Sequence, residues 1–253
     1  MPEGDTIWRT AAALRRRIEG KVVTEARPER IRRLEGRHVL GVEPTGKHLI
    51  MRFDGEISLH SHMRMTGSWH LYQPGERWRQ PAHRVTALLA FDDVVAVCFA
   101  APVVELVRDP RRTVEHLGPD VLVEPFAVDE VIRRARRSAN ATLGELLLDQ
   151  RVCAGLGNIY KCEALWAHRL DPWAAPSTLD DAALRRLYET ARDLMRRSLA
   201  GRGFNNRRAV HARGGRPCPR CATPVRIRAQ GEQGRLTYFC PRCQRSKAPD
   251  GPS

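Results

Sequence analysis

Apolar residues recur at two different spacings along the chain. In residues 5–19 they fall every three or four positions, which predicts an amphipathic helix. Gly20 follows the last of them, as is common directly after a helix. The predicted buried stripe consists of Ile7, Ala11, Leu14 and Ile18.

Between residues 21 and 116 the apolar runs are short, which predicts strands. Asp54-Gly55 separates two of these runs, and this dipeptide is favoured in tight hairpin turns. Asp92-Asp93 separates a second pair. Several short strands in succession indicate a β-sandwich or a barrel-like domain. The predicted strands are 48–53, 57–62, 86–91, 94–99 and 103–107.

Beyond residues 119–125, which have the composition of a linker, the pattern becomes helical. Residues 201–215 form a basic, glycine-rich connection, and a small cysteine-containing module ends the sequence. The order predicted is therefore a helix, a β-domain, a helical domain and a metal module. The predicted helices are 127–136, 142–149, 158–168 and 178–200.

The charge of the chain is strongly positive, with 43 Lys and Arg against 29 Asp and Glu, a net charge of +14. Arginine outnumbers lysine, and its planar guanidinium suits bidentate contacts with phosphate. We therefore expect a polyanionic partner, nucleic acid and not a membrane. No apolar run approaches the roughly 18 residues of a membrane helix and no signal peptide is evident, so the expected location is the cytoplasm, in association with the nucleoid.

Four of the seven cysteines form two CxxC pairs near the C-terminus, with eighteen residues between the pairs. Two such knuckles supply four thiolates to one tetrahedral zinc ion, and four protein ligands leave no position open for catalysis. A redox-active CxxC is the alternative, but neither pair has thioredoxin-like surroundings. The predicted ligands of this structural Zn²⁺ are Cys218, Cys221, Cys240 and Cys243.

The residues between the cysteine pairs predict two strands, at 225–228 and 235–239, joined by a turn at 231–234. Arg235 lies at or near this turn. A finger of this type can present one arginine to a phosphate or a groove. A solvated basic hairpin explains the same residues equally well, so both interpretations stay open.

The N-terminal residues carry candidate chemistry. Removal of Met1 would expose the amine of Pro2 with a pKa of roughly 8, so that part of it is neutral at physiological pH. Neutral amines attack carbonyl carbons, and a secondary amine then gives a cationic iminium that acts as an electron sink. Glu3 could move protons beside it. The plain alternative is that proline is a common, small second residue.

Three further positions each have a structural and a functional interpretation. Asn158 follows Gly155 and Gly157 and opens a predicted helix, where it caps the helix, binds phosphate at the helix start, or does both. Lys47 lies in a glycine-containing turn between strands, where most lysines are merely solvated. Met65 is either a core residue or an exposed wedge between DNA bases.

Five short segments and the four-cysteine finger occur here in a specific order and spacing. The segments are Met1-Pro2-Glu3-Gly4, Thr45-Gly46-Lys47-His48-Leu49, His62-Met63-Arg64-Met65-Thr66-Gly67, His116-Leu117-Gly118-Pro119-Asp120 and Gly155-Leu156-Gly157-Asn158-Ile159-Tyr160. In this combination nearly the whole chain resembles the formamidopyrimidine-DNA glycosylase/endonuclease VIII family of base-excision repair enzymes.

The resemblance implies a role for each matching residue. Pro2 corresponds to the N-terminal nucleophile of the family and Glu3 to the acid beside it. Lys47 corresponds to the hairpin lysine near the scissile phosphates. The residues implied to contact DNA are Met65, in the gap left by a flipped base, and Asn158 and Arg235, at phosphates.

The resemblance also implies an α+β fold: an N-terminal helix with a β-sandwich, a helical domain with a helix-two-turn-helix, and a terminal zinc β-hairpin finger. The implied protein is a monomeric, bifunctional DNA glycosylase/AP lyase that acts on damaged DNA through a Schiff base on Pro2, followed by β,δ-elimination. The expected divisions are a catalytic domain at 1–118, a linker at 119–125, the helical domain at 126–212, the finger at 213–247 and a tail at 248–253.

Two departures from the family pattern bear on the substrate. Thr6 stands where members often have glutamate, so that assisting carboxylate has no counterpart here. Cys98-Phe99-Ala100-Ala101 replaces the Arg-Phe-Gly loop of formamidopyrimidine enzymes. The opening Pro-Glu-Gly-Asp-Thr is closer to the endonuclease VIII branch of actinobacteria, so we expect oxidised pyrimidines as substrates. The alternatives are an oxidised-purine glycosylase of the same family and a non-catalytic nucleic-acid-binding zinc protein.

Overall fold

Helix α1 runs Gly4–Ile18 in the computed structural model, which describes residues 2–201 and 208–245. Every residue of its predicted apolar stripe is at most 1% exposed. The Nε of Arg15 donates to the carbonyl oxygen of Val42 at 3.2 Å, which ties the helix to a neighbouring strand. The predicted N-terminal helix is thus confirmed, with its bounds shifted by one residue.

Eight strands follow in the first unit of the chain, residues 1–116. They are β1 Glu25–Arg27, β2 Val39–Thr45, β3 His48–Phe53, β4 Ile57–His62, β5 Ser68–Tyr72, β6 Val85–Ala90, β7 Val95–Phe99 and β8 Val103–Val107. They form two antiparallel sheets, of order β2-β3-β4-β8 and β1-β6-β7-β5. Both sheets contribute side chains to one buried apolar cluster that also contains the stripe of α1. The predicted β-sandwich is confirmed.

Both predicted hairpins are present, β3–β4 around Asp54-Gly55 and β6–β7 around Asp92-Asp93. The turn at Lys47 implied a strand before it, but the range of strand β2 was not predicted, because it contains Gly41 and Pro44, residue types that disfavour strands. It forms an edge of its sheet, where a proline without an amide hydrogen is tolerated. Strands β1 and β5 and the short helix α2, Pro110–Val114, were also missed.

The second unit, residues 117–253, contains the other helices and a hairpin. Its elements are α3 Val128–Arg137, α4 Leu143–Leu148, α5 Asn158–Ala167, α6 Asp181–Leu199, β9 Arg226–Gln230 and β10 Arg235–Phe239. Each matches a predicted element, although α6 starts later than predicted because Asp180 caps it. The Oδ1 of Asp180 accepts a hydrogen bond from the amide of Ala183 at 2.7 Å.

The residues predicted as a linker pair with the loop that precedes α5. The amide of Ala154 donates to the carbonyl oxygen of Pro119 at 2.9 Å, and the amide of Val121 donates to the carbonyl oxygen of Ala154 at 3.0 Å. This short ladder leaves those residues little freedom. None of the helices in the described ranges has the length and apolar composition that crossing a membrane requires.

Candidate active site and nucleic-acid interface

The N-terminal end of α1 holds the first two candidate residues. Pro2 is half-buried, and Glu3, directly before the first helical residue, is fully buried. The carbonyl oxygen of Glu3 accepts hydrogen bonds from the amides of Thr6 at 2.9 Å and Ile7 at 3.1 Å. Chain termini commonly fray, but this one begins a helix whose apolar face is buried in the sandwich core. The backbone next to Pro2 is therefore fixed.

Lys47 lies in the tight turn between β2 and β3. Thr45 pairs with His48 across the turn, and Gly46 takes a left-handed conformation with φ +57°. Such two-residue turns favour glycine because the backbone has positive φ. Gly46 is buried and Lys47 half-buried, so this is not the fully solvated turn that the plain interpretation expected.

A group of histidines, to which the sequence patterns assign no chemistry, surrounds the first residue of β3. The Nδ1 of His48 lies 2.8 Å from the Nε2 of His60, and the Nδ1 of His60 lies 3.0 Å from the Oε1 of Glu105. The ring of His62 meets that of His48 edge-on, with centroids 4.6 Å apart. Only the pairing of three strands brings these residues together, so single-strand alternation could not reveal them.

Burial, followed by the positive charge of neighbouring histidines and Lys47, lowers the pKa of His48 to about 3. The same causes, with Arg64 added, lower the pKa of His62 to about 4. Both rings are therefore neutral around pH 7. Two neutral rings beside Lys47 add no charge that would repel it.

We expect acid to destabilise the protein through these two rings. The unfolded chain binds their protons below pH 6.5, whereas the native protein does so only near pH 4 and 3, so stability falls as the pH drops. With allowance for solvent screening at the half-exposed His62, the loss from pH 7 to 5 is about 2–3 kcal/mol. Urea titrations at both pH values measure it. The double variant His48→Gln/His62→Asn should lose much of this difference, and an unchanged difference would refute the assignment.

The loop after β4 separates the two methionines of the His62–Gly67 motif. Met63 is 1% exposed and belongs to the core, whereas Met65 is 56% exposed. The Oγ1 of Thr66 donates to the carbonyl oxygen of Ala100 at 3.3 Å. A Cβ on Gly67 would lie 2.7 Å from the carbonyl oxygen of Met63, so only glycine fits there. These contacts hold the loop against Ala100 and the backbone of Met63, while the side chain of Met65 remains exposed to solvent.

Ala100 belongs to the stretch that the sequence comparison sets against the Arg-Phe-Gly loop of formamidopyrimidine enzymes. Its φ is +50°, in the left-handed region that favours glycine. This alanine therefore adopts a backbone conformation that glycine adopts more readily. Cys98, which begins that stretch, is buried in β7.

In the second unit, Asn158 does not cap helix α5. Gly157 holds the capping position, and Asn158 is the first helical residue. Its Nδ2 donates to the carbonyl oxygen of Leu236 in β10 at 2.8 Å, next to Arg235. Its buried Oδ1 has no hydrogen-bond partner among the described residues. The structure thus brings Asn158 beside the strand that carries Arg235.

Two more residues of α5 bind successive positions of β10. Lys161 is fully buried, and its Nζ donates to the Oγ1 of Thr237 at 2.6 Å. The amide of Tyr238 donates to the Sγ of Cys162 at 3.4 Å. With Asn158, these residues form a ladder from one helix face to one strand. Sequence reasoning missed it, because a lysine inside an apolar helix gives no sign of its partner.

Arg235 is the first residue of β10, as predicted, and pairs with Gln230. It is half-buried, and its guanidinium contacts the Oε1 of Gln233 at 3.3 Å. Gln230 itself is buried, and its Nε2 donates to the Oγ1 of Thr142, the capping residue of α4, at 3.0 Å. The hairpin is therefore fastened to both α4 and α5 and is not a freely solvated arm.

The four paired cysteines converge. Their sulfur atoms all lie within 4.8 Å of one another, and tetrahedral zinc with Zn–S bonds of about 2.3 Å places its sulfurs about 3.8 Å apart. Hydrogen bonds from Thr223 lower the pKa of Cys221 to about 6, which favours its thiolate. The Nε1 of Trp166 donates to the Sγ of Cys218 at 3.3 Å. This cluster can hold a metal ion.

A buried carboxylate in α5 organises the chain before the finger. Glu163 is 4% exposed, and its two oxygens accept the amides of Ala209, Val210 and His211 at 2.8 to 3.0 Å. Three successive amides form a cradle that suits one anion. Like Lys161, Glu163 joins the base of the finger to the helix that Asn158 begins.

The predicted site residues thus fall into two groups. Pro2, Glu3, Lys47 and Met65 belong to the first unit. Asn158, Arg235 and the four cysteines belong to the second, where the structure places Asn158 and Arg235 on neighbouring elements.

Two family profiles match the chain. The formamidopyrimidine-DNA glycosylase N-terminal domain matches residues 1–113, and the formamidopyrimidine-DNA glycosylase H2TH domain matches residues 117–208. Among solved structures, formamidopyrimidine-DNA glycosylase from Lactococcus lactis bound to DNA containing an AP site is similar, with a TM-score of 0.84 over 97% of this chain and all of that one. At 22% sequence identity, this structural similarity shows a shared fold and nothing more.

Closer sequence similarity is found among bacterial enzymes. "Probable endonuclease 8 2" of Streptomyces coelicolor is 40% identical over 98% of this chain and 96% of its own. "DNA-(apurinic or apyrimidinic site) lyase Nei2" of Mycolicibacterium smegmatis is 36% identical over 96% and 99%. Formamidopyrimidine-DNA glycosylase of Thermus thermophilus is 34% identical over 96% and 98%. With this fold and these relatives, the chain belongs to the formamidopyrimidine-DNA glycosylase/endonuclease VIII family.

Proposed function

We propose that the protein is a bifunctional DNA glycosylase and AP lyase of base-excision repair that removes oxidised pyrimidines. The observation that carries the proposal is near-full-length similarity, at 40% and 36% identity, to relatives named as endonuclease 8 and as an AP lyase. The rigid start of α1, with Pro2 beside the buried Glu3, supports it. The protein acts as a monomer on DNA, in the cytoplasm at the nucleoid.

The reaction begins at the amine of Pro2, which is available only after Met1 has been removed. The amine nitrogen forms a bond to C1′ of the damaged nucleotide, and the bond between C1′ and the base breaks. Glu3 assists proton transfer to the sugar or the departing base. Loss of the amine proton and opening of the sugar ring leave an iminium, a C=N⁺ bond between Pro2 and C1′.

The iminium makes the proton on C2′ acidic, so its removal expels the 3′ phosphate by β-elimination. A second elimination expels the 5′ phosphate. Water then adds to the iminium carbon, which releases the sugar remnant as an aldehyde and restores the free amine. The product is a one-nucleotide gap with a phosphate on each side.

Binding depends on phosphate contacts and on removal of the lesion from the base stack. Flipping the damaged nucleotide costs a few kcal/mol, less than for an intact base pair. Lys47, Asn158 and Arg235 contact the phosphates around the lesion, and the exposed side chain of Met65 fills the space that the base leaves. The net charge of +14 supports a phosphate-rich interface.

The four-cysteine cluster holds one structural Zn²⁺. The mutual distances of its sulfur atoms fit this ion. Bound zinc supplies folding energy to a hairpin too small to fold alone and takes no part in the cleavage chemistry.

We expect borohydride to trap the protein covalently on abasic-site DNA, because it reduces the iminium to a stable amine. Denaturing gels and intact mass measure the adduct, and chemical acetylation of the N-terminal amine is the matched control. A catalytically active preparation that gave no adduct would contradict the Schiff base. Binding without either cleavage or trapping would favour the non-catalytic alternative.

The lesion class requires a separate comparison. Single-turnover rates on duplexes containing thymine glycol, 5-hydroxyuracil or 8-oxoguanine should be highest for the two pyrimidines. The missing arginine at the Cys98 position supports this order. A preference for 8-oxoguanine would instead establish the purine glycosylase, in line with the similarity to the Thermus enzyme.

A further inference from the structure

A line of polar side chains crosses three strands on one face of a sheet. His60 in β4 stands directly opposite Glu105 in β8, and His48 in β3 lies on the adjoining diagonal. His60 is 3% exposed, so its two ring nitrogens must find partners inside the protein. It has them, with His48 at 2.8 Å and Glu105 at 3.0 Å.

The order of donors along this line follows from the carboxylate. A carboxylate oxygen accepts hydrogen bonds, so the Nδ1 of His60 donates to the Oε1 of Glu105. The Nε2 of His60 and the Nδ1 of His48 then share one hydrogen across their 2.8 Å contact. The line thus holds the orientation of the His48 ring and restricts the tautomers that this ring can adopt.

His48 is also the residue that follows Lys47 and closes the turn opposite Thr45. That turn contains Gly46 in the left-handed conformation, and glycine by itself constrains a backbone poorly. The backbone of His48 pairs with Thr45 and His62, and its ring adds a side-chain bond to His60 in β4. A fixed ring therefore transfers the rigidity of β4 and β8 to the backbone of Lys47.

The other charged and titratable groups around His48 do not replace this bracing. His62 and His116 meet its ring edge-on, with centroids 4.6 and 6.1 Å away. Arg64 and Lys47 are the nearby cations that act on this cluster. Glu105 supplies the carboxylate that contacts His60. Its side chain is 54% exposed, so a substitution at this position does not create a cavity in the core.

We propose that His60 and Glu105 are positioning residues for Lys47, which hold the His48 ring and thereby aim the lysine ammonium at the DNA backbone. The inference rests on the proposed function, because it concerns the same lysine. Displacing a contact group by about 1 Å can cost about 100-fold in rate, so the loss of a brace has a measurable effect.

The test compares two substitutions of one exposed residue. Glu105→Ala removes the acceptor and should lower the single-turnover rate of strand cleavage at an abasic site about tenfold. Glu105→Gln keeps an oxygen that can accept from His60 and should stay within about twofold of the wild type. Val107→Ala, two residues along β8 on the same face, is the matched control and should leave the rate unchanged.

A second arm asks whether the effect passes through Lys47. In a Lys47→Ala background, Glu105→Ala should cause no further loss, because the group that it positions is gone. The ¹⁵N resonances of His48 should report a more restricted set of tautomers in the wild type than in Glu105→Ala. Thermal midpoints exclude unfolding as the cause.

Equal impairment of Glu105→Gln and Glu105→Ala would overturn the inference, and so would an undiminished effect of Glu105→Ala without Lys47. A wild-type protein that neither cleaves nor is trapped would instead contradict the proposed function. A cleaving wild type with a fully active Glu105→Ala variant would refute only the positioning role.

Discussion

A protein that keeps Met1, or any tag residue before Pro2, will bind abasic-site DNA but will not cut it. The nitrogen of Pro2 is then part of an amide, whose lone pair is delocalised into the carbonyl group and cannot attack C1′. We expect the single-turnover cleavage rate to fall by a factor on the order of 10³ or more, since losing a nucleophile removes the whole covalent route.

The measurement uses one fusion protein in two states. A protease that leaves Pro2 as the first residue should restore cleavage and borohydride trapping. A linker that leaves one glycine before Pro2 is the matched control and should stay inactive. Affinity for a duplex with a tetrahydrofuran abasic analogue should agree within about threefold among all forms, because the phosphate contacts are untouched. Full cleavage by the glycine-extended form would disprove the assignment of the nucleophile.

Loss of a zinc ligand should abolish tight DNA binding. Cys240→Ser removes one of the four proposed zinc ligands, and we expect a finger of this size to lose its fold without the metal. We expect affinity to fall at least about 30-fold, and the dependence of affinity on salt to weaken by about one phosphate contact, that of Arg235. Fluorescence anisotropy at several salt concentrations gives both quantities.

Two controls separate the finger from general damage. Cys98→Ala changes a buried cysteine in the first unit, whose pKa burial raises to about 12 and which therefore remains a neutral thiol. This variant should bind DNA normally. Arg235→Ala should keep zinc and fold but show the same reduction in salt dependence. If the zinc-free protein binds DNA with unchanged affinity and salt dependence, the role of Arg235 is wrong.

The consequences of zinc loss should extend into α5. Asn158, Lys161 and Cys162 bond to three successive residues of β10, so a disordered hairpin removes their partners. Lys161, which is fully buried, would then lose its hydrogen bond to the hydroxyl of Thr237. The two phosphate contacts predicted for this unit are therefore coupled, and removing the metal should weaken both.

The parts of the fold that were predictable rest on local patterns. The apolar stripe of α1 and the turn at Asp54-Gly55 each require only neighbouring residues, and the structure confirms them. The spacing of the cysteines likewise indicated a cluster that the structure contains. The range of strand β2 could not be predicted because its glycine and proline disfavour strands. Its position at the edge of the sheet explains why both residues are tolerated there.

The residues of the candidate site could be predicted only where they matched sequence motifs of the family. The roles of Pro2, Lys47 and Arg235 remain predictions for the experiments above. Contacts made across elements gave no local signal. The pairing of His60 with Glu105 requires knowledge that β4 and β8 are neighbours, although 45 residues separate the partners along the chain. The bond between Asn158 and Leu236 spans 78 residues.

Helix α1 has a further consequence, for heat inactivation. One face of this helix completes the sandwich core, and the proposed reactive amine of Pro2 lies two residues before its first residue, Gly4. The helix cannot fray at that end without loosening Ile7 from the core. The temperature at which lyase activity disappears should therefore coincide with the melting temperature of the β-sandwich. We expect no temperature range in which the sandwich is folded but the amino terminus is disordered.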